Sequence, residues 1–208
     1  MQTRLLSFLI LTAWLTSGCA GRGEMVMLDP GSLRLDKGDA AAAGARGSVL
    51  IVPFEDERPE KGRIGKRVHV GGGHTYYTVV EDKPGHVIAQ FLADYLTHKG
   101  WQASVTTARP GPDAKDAMIV TGQVREFSAD AESRPTSTEI SVKMLVALQS
   151  SNDARGTMGR MILQGSRVNK VAVFSDRHVE DALRQMIQES LDRLMADATI
   201  ENGVFQVK

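Results

Sequence analysis

The chain has 208 residues, with 25 Lys and Arg balanced by 25 Asp and Glu, so its formal net charge at pH 7 is zero. That balance leaves no net field to draw nucleic acid or an acidic substrate, and no nucleic-acid partner is expected. The single cysteine, Cys19, excludes a disulfide framework within the chain, and a chain this long can bury most of its unfolded surface without such staples.

Arg4 opens a short positive start, and a largely apolar run follows from Leu5 to Leu15 before small residues take over. This is the order of a secretory signal, and the run is shorter than the roughly 20 apolar residues of a spanning helix. Ser17 and Gly18 lead directly into Cys19. The stretch resembles a bacterial lipobox, with Thr16 where that motif usually carries Leu. The resemblance implies removal of residues 1–18 and a diacylglycerol thioether on Cys19, the one functional residue assigned; ordinary secretory cleavage is the alternative. Ala20, where an Asp would imply inner-membrane retention, points to an outer-membrane protein, lipid-anchored and facing the periplasm. Two or more acyl chains hold where one would not.

Ala20 to Arg46 is rich in Gly, Ala and Asp, with a short apolar patch at Met25 to Leu28. It reads as a flexible tether, with room for one short strand near Leu33. The organisation expected is thus a signal at 1–18, a lipidated N-terminus and tether at 19–47, and a folded domain at 48–208.

The domain opens on Val49-Leu50-Ile51-Val52, a strand that Pro53 brings to an end. Val68 to Val79 alternates around Gly71-Gly72-Gly73 and predicts a glycine-tipped hairpin projecting from the core. Pro84 starts a helix with Val87, Ile88, Phe91, Leu92, Tyr95 and Leu96 on one stripe, and Gly100 ends it. Trp101 to Val105 is the next strand. Ala117 to Ala129, Ile140 to Val146 and Thr157 to Val168 then predict an antiparallel meander, with a turn at Ser151 to Gly156. Ser175 or Asp176 caps a last helix whose apolar face runs from Val179 through Ala182, Leu183, Met186, Ile187 and Leu191 to Leu194. The fold class expected is α+β: a two-layer sandwich with a mostly antiparallel sheet covered by two helices.

From Asp116 to Val207 the chain resembles the YajG-type lipoproteins of Gram-negative bacteria. The likeness rests on the strand ending Val124-Arg125-Glu126-Phe127-Ser128-Ala129-Asp130, the long alternating strand after it, the Ser151 to Gly156 turn and the Val179 to Met195 helix. Val49 to Arg58 and Gly85 to Gly100 are similar to that family's first strand and helix. The resemblance implies a cell-envelope lipoprotein and supplies no active site.

No enzyme chemistry, cofactor or metal site is assigned. Glu55, Asp56 and Glu57 alternate faces and lie beside Arg58, Lys61, Arg63, Lys66 and Arg67, so they read as a solvated mixed-charge loop. His69 and His74 flank the hairpin tip but fall short of the three or four ligands zinc takes, and His86 and His98 lack cluster spacing. Gly62 to Lys66 lacks the glycine spacing and the Ser or Thr of a phosphate loop. Gly165-Ser166-Arg167 is not a nucleophile elbow. The expected function is non-enzymatic: attachment to the membrane through Cys19, and binding of an envelope protein partner at a sheet edge or the Val68 to Val79 hairpin, in envelope assembly or maintenance. The alternative is a lipid- or glycolipid-handling accessory of a transport system, holding acyl chains between sheet and helices.

Overall fold

Strand β7, Met118–Arg134, is the spine of the molecule. A computed structural model describes residues 22–30, 46–107 and 116–208; residues 1–18, Cys19 and Leu33 lie outside them. Strand β8, Ser137–Asn152, runs antiparallel along one side of β7, and β9, Thr157–Val171, runs antiparallel to β8. Strict alternation makes this meander. Ile140, Val142, Met144, Val146 and Leu148 of β8 are all buried, while their odd-numbered neighbours turn to the other face.

The inward set of β7 changes parity midway, from Val120 and Val124 to Phe127, Ala129 and Ala131. A register shift between Val124 and Glu126 absorbs the change, so Arg125 is the extra residue of a bulge. Bulges bend and twist a strand locally, and here the bend lets one long strand serve two groups of partners.

Those partners line the other side of β7. Strands β2 (Ser48–Ile51) and β3 (Glu55–Asp56) pair with β7 up to Val124, and β4 (Gly65–Val68) pairs with it beyond the bulge. Strand β6 (Gln102–Val105) extends the sheet past β2. Strand β5 (His74–Val79) extends it past β4, and β1 (Arg22–Leu28) lies outside β5. The result is one curled nine-stranded sheet.

The α+β content is as expected, but the sheet is not mostly antiparallel. Five of its strand pairings are parallel: β1–β5, β2–β6, β2–β7, β3–β7 and β4–β7. Helix α1, Pro84–His98, follows β5 and returns the chain from the β4–β5 hairpin to β6, the parallel neighbour of β2, completing the long crossover that parallel pairing requires. The three antiparallel pairings are the hairpin β4–β5 and the two meander ladders.

The Val68 to Val79 hairpin forms with its glycine turn, Gly72 at φ +83°, but it is not a projecting excursion. Its strands are paired on both sides, by β7 and by β1. The expected tether is corrected in part as well. Arg22–Leu28 is a strand, Leu28 is fully buried, and it belongs to the same core as both helices.

Helix α2, Asp176–Asp197, buries every residue of its expected stripe and adds Ser190. Its first turn is closed by Ser175, whose amide donates to His178 Nδ1 at 3.0 Å. The two helices pack on the inner face of the sheet, and the Tyr95 hydroxyl of α1 donates to Asp192 of α2 at 2.8 Å. Close approach is made possible by Gly165 of β9, where an added Cβ would collide with Ser190 and Met186. A last hairpin, β10 (Ala198–Glu201) with β11 (Val204–Val207), turns at Asn202-Gly203 and seats Phe205 over β8 and β9.

Candidate binding surface

The face of the meander opposite the helices is open. Odd-numbered residues of β8 and even-numbered residues of β9 form cross-strand rows on it, such as Thr121–Gln149–Arg160 and Gln123–Ala147–Ile162. Two clefts lie along this face, of about 620 Å³ and about 480 Å³, and Arg125 lines both. The bulge therefore divides the surface: Val52, Thr121 and Arg160 border the larger cleft, and Arg58, Lys66 and Asp130 the smaller. No residue of either helix lines them. The interface between sheet and helices is instead filled by Ile88, Leu92, Leu183, Ile187, Val142 and Val146, all fully buried. Neither of these two clefts lies between the layers, where the alternative reading would seat acyl chains.

Arg58 anchors the smaller cleft. It is only 5% exposed, and its Nε and Nη2 each donate to a carboxylate oxygen of Asp56 at 2.9 Å. Its Nη1 donates to the carbonyls of Arg63 at 2.9 Å and Phe127 at 3.2 Å. Burial alone would raise the Asp56 pKa. The Arg58 hydrogen bonds and charge, helped by Lys61, outweigh it and hold the carboxyl below its ordinary range. Thus Glu55-Asp56-Glu57 is not wholly a solvated loop. Glu55 is exposed and Glu57 faces Arg125 at 4.0 Å, but the half-buried Asp56 is held by the buried Arg58, which pins the chain to β7 through the Phe127 carbonyl.

His69 and His74 come close at the hairpin tip without forming a metal cluster. His69 Nε2 is 2.8 Å from Thr75 Oγ1. Burial first, then the charges of Arg67 and His74, hold its pKa below the ordinary value. His74 Nδ1 is buried with no hydrogen-bond partner among the described residues. No group of three or more metal-ligating side chains occurs among the described residues. Gly62 to Lys66 leads into β4, where the Lys66 amide donates to Asp130 at 3.1 Å, and not into a helix. Gly165-Ser166-Arg167 lies mid-strand in β9, with Arg167 donating to Glu189 of α2 at 2.6 Å.

The feature that sequence reasoning left unspecified is which edge is open. Among the described residues β9 pairs with β8 alone, over fifteen consecutive residues. On its open face Met158, Ile162 and Val168 are 60%, 51% and 63% exposed. The strand carries Arg160, Arg167 and Lys170 and no acidic residue. The opposite edges, β1 and β6, are seven and four residues long.

No family model matches the sequence, and no curated protein matches it. Several solved structures are similar in part. A Xanthomonas campestris protein of the DUF330 family is 8% identical over 81% of this chain and 91% of its own, with a TM-score of 0.48. A Helicobacter pylori protein described as a homolog of neuraminyllactose-binding hemagglutinin is 10% identical over 77% and 91%, at 0.42. Lipoprotein GNA1162 from Neisseria meningitidis is 13% identical over 72% and 98%, at 0.37.

Proposed function

We propose that this chain is a lipid-anchored cell-envelope protein, acylated at Cys19 and facing the periplasm from the outer membrane. Its work is non-enzymatic: the domain binds an envelope protein through the edge of β9. The order of residues 1–19 and the resemblance to YajG-type lipoproteins support the anchor. No helix among the described residues is long and apolar enough to cross a membrane.

The observation that carries the binding role is the β9 edge. A long unpaired edge with apolar side chains beside it is a liability that natural proteins blunt with charge, bulges or a covering element. Among the described residues no strand pairs with the outer edge of β9, and a strand added there gains a ladder of backbone hydrogen bonds. Arg160 and Lys170, with no acid in the strand, favour a partner strand bearing carboxylates.

A photoactivatable side chain placed at Ile162 in cells, with one at Gln90 of α1 as control, tests this. Mass spectrometry should recover one recurrent envelope protein from position 162 and not from position 90. Recovery of lipid alone from position 162 would sink the protein-binding role and favour the lipid-handling alternative.

A further inference from the structure

The distance between the anchor and the first strand is short. Arg22 begins β1, three residues after Cys19. Three peptide units reach at most about 11 Å, at 3.8 Å each. β1 is no loose arm. It pairs with β5 from Arg22 beside His74 to Leu28 beside Val79, and Leu28 is fully buried. Beyond it the Asp29 amide donates to Glu180 of α2 at 3.0 Å, and Arg184 donates to the Pro30 carbonyl at 2.8 Å. An acylated Cys19 therefore draws one particular end of the sheet to the bilayer and holds it there.

The pairing identifies that end. Arg22 stands in one row with His74 and Val68, so the hairpin tip from His69 to Gly73 lies beside the start of β1. Across the same row Val68 stands beside Glu132, Glu132 beside Glu139, and Glu139 beside Lys170 at the end of β9. The loop after β9 folds over this end: the Arg67 guanidinium lies 3.8 Å from the centre of the Phe174 ring. The charges of Asp176 and Glu24 both reach His69, which brings the start of α2, the start of β1 and the hairpin tip together.

Two large apolar side chains stand out from this end. Val173 is 81% exposed and Val70 62%, so among the described residues most of each side chain is left uncovered. Gly71, Gly72 and Gly73 beside Val70 leave the tip without side chains that would hold it away from a surface.

Resting on the acylation of Cys19 proposed above, we infer that this end is a membrane-contact surface, with Val70 and Val173 set against the phospholipid bilayer that holds the anchor. Two valines would not bind a free protein to a membrane. Tethered within a few residues, they meet the surface at a high effective concentration, and a small apolar contribution then fixes orientation. Lys170 stands opposite Glu139 and Arg134 pairs with Glu132 at 3.5 Å, so charges of both signs offset one another on this end and the apolar contact resists salt. The domain stands upright as a result. From Val171 at the membrane end, β9 rises about 45 Å to Thr157 at about 3.3 Å per residue, presenting its open edge along the membrane normal.

The test uses the full-length acylated protein in vesicles of phosphatidylethanolamine and phosphatidylglycerol. A solvatochromic label is attached to Val70→Cys, Val173→Cys or, at the far turn, Gly156→Cys, and quenched by lipids carrying a nitroxide near the headgroup. Quenching several-fold stronger at 70 and 173 than at 156 is expected, unchanged in high salt. Hydrogen exchange on the unsubstituted protein gives the same comparison without a label: amides from Val68 to His74 should slow on moving from detergent to vesicles. Equal quenching at the three positions, with the acylated protein floating with the vesicles, overturns the contact and leaves the anchor standing. Absence of the acyl mass on Cys19 overturns both.

Discussion

Replacing Arg58 with Met removes a buried cation from a segment that the sequence presents as a charged loop. The structure gives the cost. Arg58 supplies both hydrogen bonds that Asp56 receives from a side chain and also serves the carbonyls of Arg63 and Phe127. Breaking a fully buried pair by removing one partner costs about 3–5 kcal/mol, most of it from the charge left behind. Asp56 keeps 21% side-chain exposure, so water relieves part of that charge. We expect about 3 kcal/mol, which at about 2 kcal/mol per molar is a fall of about 1.5 M in the urea midpoint. Asp56→Asn combined with Arg58→Met should lose little more than Arg58→Met alone, because the stranded carboxylate has been neutralised. Urea unfolding followed by circular dichroism across the four proteins gives the coupling directly. An Arg58→Met midpoint indistinguishable from the parent, or purely additive losses, would refute the pinning role.

Gly165→Ala should cost about 1–3 kcal/mol in the same assay, since the added carbon meets Ser190 and Met186 of a helix held by its whole apolar face. Gly203→Ala should destabilise too, by about 1–2 kcal/mol for the backbone alone, because φ is +73° there and the new carbon meets Asn152. Below neutral pH, two partly buried groups act with the same sign. The folded state holds His69 below its ordinary 6.5 and Asp56 below its ordinary 3.8, so the unfolded chain takes up each proton first. Stability should therefore decline as pH falls below 6.5 and again as it falls below 3.8. His69→Gln should remove the upper decline and leave the lower one.

Much of the domain was legible because its segments are long and strongly periodic. The apolar stripes of α1 and α2, the Gly100 stop and the Ser175 cap all follow from local spacing, and each is where the sequence places it. The alternation of β8 was equally plain. The Asn202-Gly203 turn between apolar pairs was also a readable hairpin signal, but its strands are only four residues each and read as a tail. β1 offers a half-buried Val26 and a buried Leu28 as inward apolar residues, with Met25 and Met27 exposed between and before them; so short an alternation in glycine-rich surroundings resembles linker. β3 has two residues and no period at all.

The candidate surface was harder, since its parts meet only in three dimensions. Arg58 sits among eight other charges from Glu55 to Arg67, and nothing local marks it out. Its burial depends on the Phe127 carbonyl, 69 residues away on a bulged strand. The sequence alone determined where helices and long strands form and that Cys19 is the one thiol, because spacing and composition act locally. Only the tertiary structure decided that five strand pairings run parallel, that β9 keeps an open edge among the described residues, and that the first strand begins three residues from Cys19. Those depend on which strands become neighbours, and neighbours are chosen by burial across the whole chain.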